Sequence, residues 1–202
     1  RGNSSPVIWD NRIFITSATE DGKTRELFCY NRTDGELLWK SVAPTPENVE
    51  KLYWKNTYAS STPVTDGERI INFFGNSGMV CFSMDGDLEW VQNLGDFTTM
   101  HGPGTNPVMY KDKVILIQDQ TNAESVYVAL DKFTGEILWK HKRESGMGWS
   151  SPLIVQVDGH DEMIYNGSFN VIGYNPDSGE QIWTLKGSTK EAVPMIVSGG
   201  GL

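Results

Sequence analysis

The chain has 202 residues, with 17 Lys plus Arg against 26 Asp plus Glu, a formal charge of −9, and 38% hydrophobic residues. That length supports a large core, and no apolar run approaches the roughly 20 residues of a membrane-spanning helix. The acidic balance has no basic cluster to oppose it, so neither nucleic acid nor an anionic lipid surface is the expected partner.

The first unit covers residues 4–42. Val7 to Trp9 and Ile13 to Thr16 flank the turn pair Asp10-Asn11, and Glu26 to Tyr30 and Leu37 to Trp39 flank a second polar turn, which predicts short strands. Residues 43–56 interrupt the pattern as A-P-T-P-E-N-V-E-K-L-Y-W-K-N. Thr45 ahead of Pro46 and Glu47 reads as a helix start, so one or two helical turns are expected there. Tyr53 and Trp54 either pin this insert down or form a binding surface. The second unit, 60–95, runs through Val64, Arg69 to Phe74, Met79 to Ser83 and Leu88 to Val91. Its Gly75-Asn76-Ser77-Gly78 joins two strands and precedes no helix, so it reads as a turn and not a phosphate loop. The third unit, 104–142, and the fourth, 150–187, repeat the sequence of short strands, and residues 192–202 open a fifth. Asp158-Gly159-His160-Asp161-Glu162 has carboxylates for calcium without the alternation of a calcium loop, so a solvated turn is expected and no metal is assigned.

Each unit closes on the same hairpin. In the third, Val126, Val128 and Leu130 alternate up to Asp131, a turn follows through Thr134 and Gly135, and the second strand ends on Trp139. Asp caps backbone amides two residues on and Gly tolerates positive φ, as a tight reversal requires. The equivalents are Gly35 with Trp39, Gly86 with Trp90, and Gly179 with Trp183, at a spacing of about 45 to 50 residues that suits a four-stranded repeat. A second marker agrees, since Ser5-Pro6, Thr62-Pro63, Asn106-Pro107, Ser151-Pro152 and Val193-Pro194 open successive units. A lone hairpin cannot bury its apolar face. Sheets of this period set side by side give an all-β propeller, with each tryptophan wedged between blades and its N–H seeking a neighbour's backbone carbonyl. Burial of one indole contributes roughly 2 to 3 kcal/mol. Cys29 and Cys81 occupy a slot filled by Ala129 and Gly173 in the other copies, so buried free thiols are expected in place of a bridge.

The pattern A-x-D-x-x-T-G-x-x-x-W, carried by Ala129, Asp131, Thr134, Gly135 and Trp139, resembles the tryptophan-docking repeat of the pyrroloquinoline-quinone (PQQ)-like β-propellers. The resemblance runs from Ser4 to Leu202. That family includes quinoprotein alcohol dehydrogenases, the outer-membrane assembly lipoprotein BamB and extracytoplasmic proteins of unassigned role. It implies a location in the periplasm or cell envelope and a ring of seven or eight blades, of which this chain would be one partial domain joined to further blades. A closed four-bladed ring is the alternative.

Function must come from a site. The loops leading into the innermost strands gather at one end of the channel and supply Tyr58, Ser61, His101, Asn106, Trp149 and Ser150, a mixture suited to a protein partner or a small ligand. Trp149 and Tyr58 could equally plug the channel. A quinoprotein site, by resemblance, needs adjacent cysteines, calcium held by carboxylate and amide, and an Asp base. The sequence has no adjacent cysteine pair, its histidines share no metal spacing, and no nucleophile motif is present. The leading expectation is a non-catalytic binding or scaffold propeller without cofactor. PQQ with calcium in a dehydrogenase is the alternative, and a carbohydrate-binding propeller using Trp149 and Tyr58 ranks third.

Overall fold

A computed structural model describes residues 1–121, 124–144 and 146–199. Alternation of apolar and polar residues resolves into antiparallel strands, arranged as four sheets of four. The first blade is β1 (Val7–Trp9), β2 (Arg12–Ala18), β3 (Arg25–Asn31) and β4 (Leu37–Val42). The second is β5 (Val64–Thr65), β6 (Arg69–Phe73), β7 (Met79–Ser83) and β8 (Leu88–Gln92), with one turn of 3-10 helix at Gly75–Ser77. The third is β9 (Val108–Tyr110), β10 (Lys113–Gln118), β11 (Ser125–Asp131) and β12 (Ile137–Arg143). A short β13 (Met147–Gly148) precedes the fourth blade, which is β14 (Leu153–Val157), β15 (His160–Asn166), β16 (Asn170–Tyr174) and β17 (Gln181–Lys186). β18 (Glu191–Ala192) pairs in parallel with β13.

Within each blade the strands follow chain order as a meander, and the first strands β1, β5, β9 and β14 contact one another in succession. They form the hub, and the tryptophan-bearing strands lie at the rim. This is a sector of a β-propeller, whose core lies between sheets instead of within one. Phe14, Leu27 and Cys29 of the first blade pack on Ile70, Val80 and Phe82 of the second. Ile71, Met79 and Cys81 pack on Val114, Leu116, Val128 and Leu130 of the third. Ile115, Ile117, Tyr127 and Ala129 pack on Met163, Tyr165 and Tyr174 of the fourth. Among the described residues no helix is long and apolar enough to cross a membrane.

The small-residue slot has a simple cause. Cys29, Cys81, Ala129 and Gly173 sit directly across the sheet from Trp39, Trp90, Trp139 and Trp183, and a bulge follows at that point in every blade. A large side chain there would meet the indole. Both cysteines are free and buried.

Docking of the indoles follows the expected geometry at the first two joints. Trp39 Nε1 donates to Met84 O at 3.0 Å, and Trp90 Nε1 to Lys132 O at 3.0 Å. Gly86 and Gly135 lie under those rings with φ of 92° and 76°, where an added Cβ would come within 2.8 Å of Trp39 and 2.6 Å of Trp90. At the third joint Trp139 lies over Gly179, but its Nε1 has no acceptor among the described residues, and His141 Nε2 donates instead to Ser178 O at 2.8 Å. Trp183, at the outer face of the fourth blade, donates to Glu162 of its own sheet at 2.6 Å.

The insert departs from expectation, because residues 43–56 contain turns and bends and no helix. Residues ahead of Pro44 and Pro46 are driven to extended backbone. The segment is then tied down by the Asn48 carbonyl, which a helix would engage internally, and by a buried ion pair. Asn76 Nδ2 donates to Asn48 O at 3.0 Å, and Glu50 meets Arg25 at 2.6 and 2.9 Å with both side chains nearly inaccessible. Arg25 also donates to Gly22 O and Phe74 O and lies over the Tyr58 ring at 5.0 Å.

Candidate functional site

The loops entering the hub strands are joined by a ladder that explains the second sequence marker. Ser5 N donates to Thr62 Oγ1 at 3.0 Å, Thr62 N to Asn106 Oδ1 at 2.7 Å, and Asn106 N to Ser151 Oγ at 3.0 Å. Ser5, Thr62 and Asn106 therefore each offer an amide to the equivalent side chain of the next blade, and the short polar side chains of Thr62, Asn106 and Ser151 accept. Asn106 belongs to this ladder, and Ser61 and Ser150 are buried behind it, Ser150 Oγ bonding Ser151 O at 3.3 Å.

His101 and Trp149 are brought together at the loop face, their rings 5.3 Å apart. Tyr53 of the insert meets His101 edge-on at 5.1 Å, so the insert supplies a third ring. Trp149 Nε1 donates to Gly102 O at 2.9 Å, and Asn56 Nδ2 to His101 O at 2.7 Å and Pro103 O at 3.2 Å, which fixes the loop against the insert. These rings line a cleft of about 410 Å³ with Lys55, Ser60, Glu191 and Val193. His101 Nδ1 is buried there without a hydrogen-bond partner among the described residues. Beside the cleft, Trp54 is 77% exposed with Lys55 Nζ 4.8 Å from its ring centre, and Met100 is 57% exposed.

Tyr58 faces a separate cavity of about 310 Å³ lined by Arg1, Thr19, Glu20, Leu52, Tyr53 and Trp54. Burial, with Glu50 nearby, pushes its hydroxyl above the usual tyrosine range, so it stays protonated. His101 and Trp149 thus meet at the loop face, while Tyr58 and Asn106 serve other neighbours. The contributions of Tyr53 and Trp54 were signalled only by two adjacent aromatics in an otherwise polar insert.

A second polar cluster lies between the third and fourth blades. Asp119 and Arg143 are paired at 3.3 Å, Tyr165 OH donates to Asp119 at 3.2 Å, and Arg143 Nη1 donates to Tyr174 OH at 2.6 Å. Burial raises the Asp119 carboxyl despite the guanidinium beside it. Gly146 and Gly148 leave room for this carboxylate, since a Cβ at either would fall within 2.8 Å of Asp119 Oδ2.

The meander blades, hub ladder and docked indoles define a propeller of PQQ-like repeats, seen here as a sector. Residues 23–195 match the family described as outer membrane protein assembly factor BamB, and the chain belongs to that family. It is 24% identical over 186 residues to the outer membrane protein assembly factor BamB of Alkalilimnicola ehrlichii, covering 90% of this chain and 43% of that protein. Among solved structures it superposes on a europium-containing methanol dehydrogenase with a TM-score of 0.70 at 13% identity, covering 95% of this chain and 42% of the other. It superposes on BamB from Moraxella catarrhalis with a TM-score of 0.58 at 15% identity, covering 91% and 48%. The chain therefore spans less than half the length of these relatives, and likenesses at such identity speak for the fold alone.

The residues of this sector do not by themselves suit a calcium-bound quinone. Trp149 offers an indole, but Cys29 and Cys81 are apart and buried in different blades. Asp161 and Glu162 turn to opposite faces of their sheet, one toward Tyr110 and the other toward Trp183.

Proposed function

We propose that this chain is the interaction-bearing sector of a non-catalytic envelope propeller, working outside the cytoplasm as a BamB-like scaffold. The supporting observation is the aromatic loop face, where Tyr53, His101 and Trp149 line a cleft and the insert, with Trp54 beside it, adds exposed apolar area that the blades do not need for their own packing. Exposed patches of this kind mark association sites. Residues 192–202 open a fifth unit in this reading, of which 200–202 lie outside the described residues. Tyr58, Ser61, Asn106 and Ser150 then act as supports for the loop face, and His101 and Trp149 as contacts.

A photo-crosslinker placed at Trp54 in envelope preparations is expected to trap a discrete protein partner, with the adduct lost in Tyr53→Ala and absent when the crosslinker replaces Leu38 on the rim. A dehydrogenase reading predicts instead a saturable absorbance change with PQQ and calcium, coupled to dye-linked alcohol oxidation. That result, without a loop-face adduct, would overturn the scaffold assignment.

A further inference from the structure

A cavity of about 420 Å³ opens between the third and fourth blades, beside the Asp119–Arg143 cluster, and it shares no lining residue with the loop-face cleft. Its size falls within the roughly 300 to 1,000 Å³ of small-molecule sites. The floor is made by Tyr127, Tyr174 and Arg143, all nearly buried, with the two tyrosine rings 4.8 Å apart. The rim is made by Phe169, Asn170, Gln181 and Thr184. Tyr174 Oη receives Arg143 Nη1 at 2.6 Å, and its own proton has no acceptor among the described residues. The side chains of Asn170, Gln181 and Thr184 likewise make no hydrogen bond to a described residue. Two amides and two hydroxyls therefore stand ready both to donate and to accept.

Phe169 adds a second observation. Among the described non-glycine residues with positive φ it is the one aromatic, at 61°. Thr189 O accepts from its amide at 2.9 Å and its own carbonyl accepts from Gly187 N at 3.1 Å, so the residue is fixed at the cavity mouth while 58% exposed. A bulky side chain in this backbone region is an outlier, and such strain gathers at functional sites. The surroundings also select the ligand. An apolar molecule would strip water from the amides and hydroxyls without replacing it. An anion would meet an Arg143 already paired with Asp119 at 3.3 Å and a Glu144 at the cavity edge, in a chain of charge −9. A pyranose meets both demands, with hydroxyls that donate and accept and an apolar ring face for an aromatic side chain.

We propose that this cavity between the third and fourth blades binds a short neutral saccharide, one pyranose lying on Phe169 with its hydroxyls bridging Tyr174, Asn170 and Gln181. The site is separate from the loop face and does not depend on protein docking there.

The test is calorimetric titration of the chain with the neutral probes maltotriose, cellotriose and triacetylchitotriose, and with trigalacturonate as the charged control. At least one neutral probe is expected to bind saturably, one per chain, and more tightly than trigalacturonate. Phe169→Gly should raise its Kd about tenfold. The same variant should hold or raise the urea midpoint, because glycine adopts the left-handed backbone without strain, which separates lost binding from lost folding. Asn170→Ala should weaken binding about fivefold, and Trp54→Ala at the loop face should leave it unchanged. The proposal is overturned by the absence of saturable binding with every neutral probe, by tighter binding of trigalacturonate, by an affinity indifferent to both Phe169→Gly and Asn170→Ala, or by its loss in Trp54→Ala.

Discussion

Gly135 and Gly35 share a φ of 76°, yet the two positions are under different demands. Gly135 lies beneath Trp90, whereas a Cβ at Gly35 would meet nothing within 4 Å. Alanine at Gly35 therefore carries only the backbone cost of the left-handed region, about 1 to 2 kcal/mol. Alanine at Gly135 adds displacement of an indole, and urea unfolding should show it to be the more destabilising by at least about 1 kcal/mol. Equal losses would mean that the indole contact contributes little. The same comparison separates the two uses of glycine that one sequence pattern conceals. Asp131 behaves as its residue type predicts, with Oδ1 accepting from Phe133 N at 2.7 Å and Thr134 N at 2.9 Å.

At the scale of elements, the insert is the part that the sequence described least well. Proline placement and a polar-acidic run suggested helical turns, but Glu50 is taken up by Arg25 at the start of β3 and Asn48 by Asn76 of the second blade. Neither partner is near in sequence. The Arg25–Glu50 pair is buried, and removing one member of such a pair costs about 3 to 5 kcal/mol because the other charge is left desolvated. Glu50→Ala is expected to lower stability by that order. It should also expose residues 43–56 to limited proteolysis well before the blades are cut, and uniform cleavage across the chain would refute this local role. The hub ladder is the opposite case. Its Ser, Thr, Asn and Ser before proline were legible as a marker, although their bonds to one another were not.

For the molecule as a whole, charge is placed at the joints. Burial pushes the Asp66 carboxyl up, but the Lys132 ammonium and the amides of Glu68 and Arg69 together more than offset it and hold the group below its ordinary value. Asp177 is likewise held low, first by Lys111, with burial opposing and Tyr110 and Lys113 adding to the effect. A carboxyl with a lowered folded-state pKa contributes stability that is present above its unfolded value and is lost as pH falls through the folded one. Acidification below the ordinary carboxylate range is therefore expected to loosen the second and third joints. Asp66→Asn should flatten the fall in urea midpoint between neutral and acid pH, and an unchanged slope would remove Asp66 from the account.

The repeat period, the turn chemistry and the strand order were set by the sequence itself, because alternation, glycine at positive φ and an Asp cap are local requirements written into adjacent residues. The propeller followed from them, since the apolar faces of successive sheets are covered by one another. Which rings meet at the loop face, which base meets which turn, and how Trp183 is held by Glu162 were decided by tertiary structure alone. These contacts join residues from different blades or strands, and their distance along the chain leaves no local pattern from which to read them.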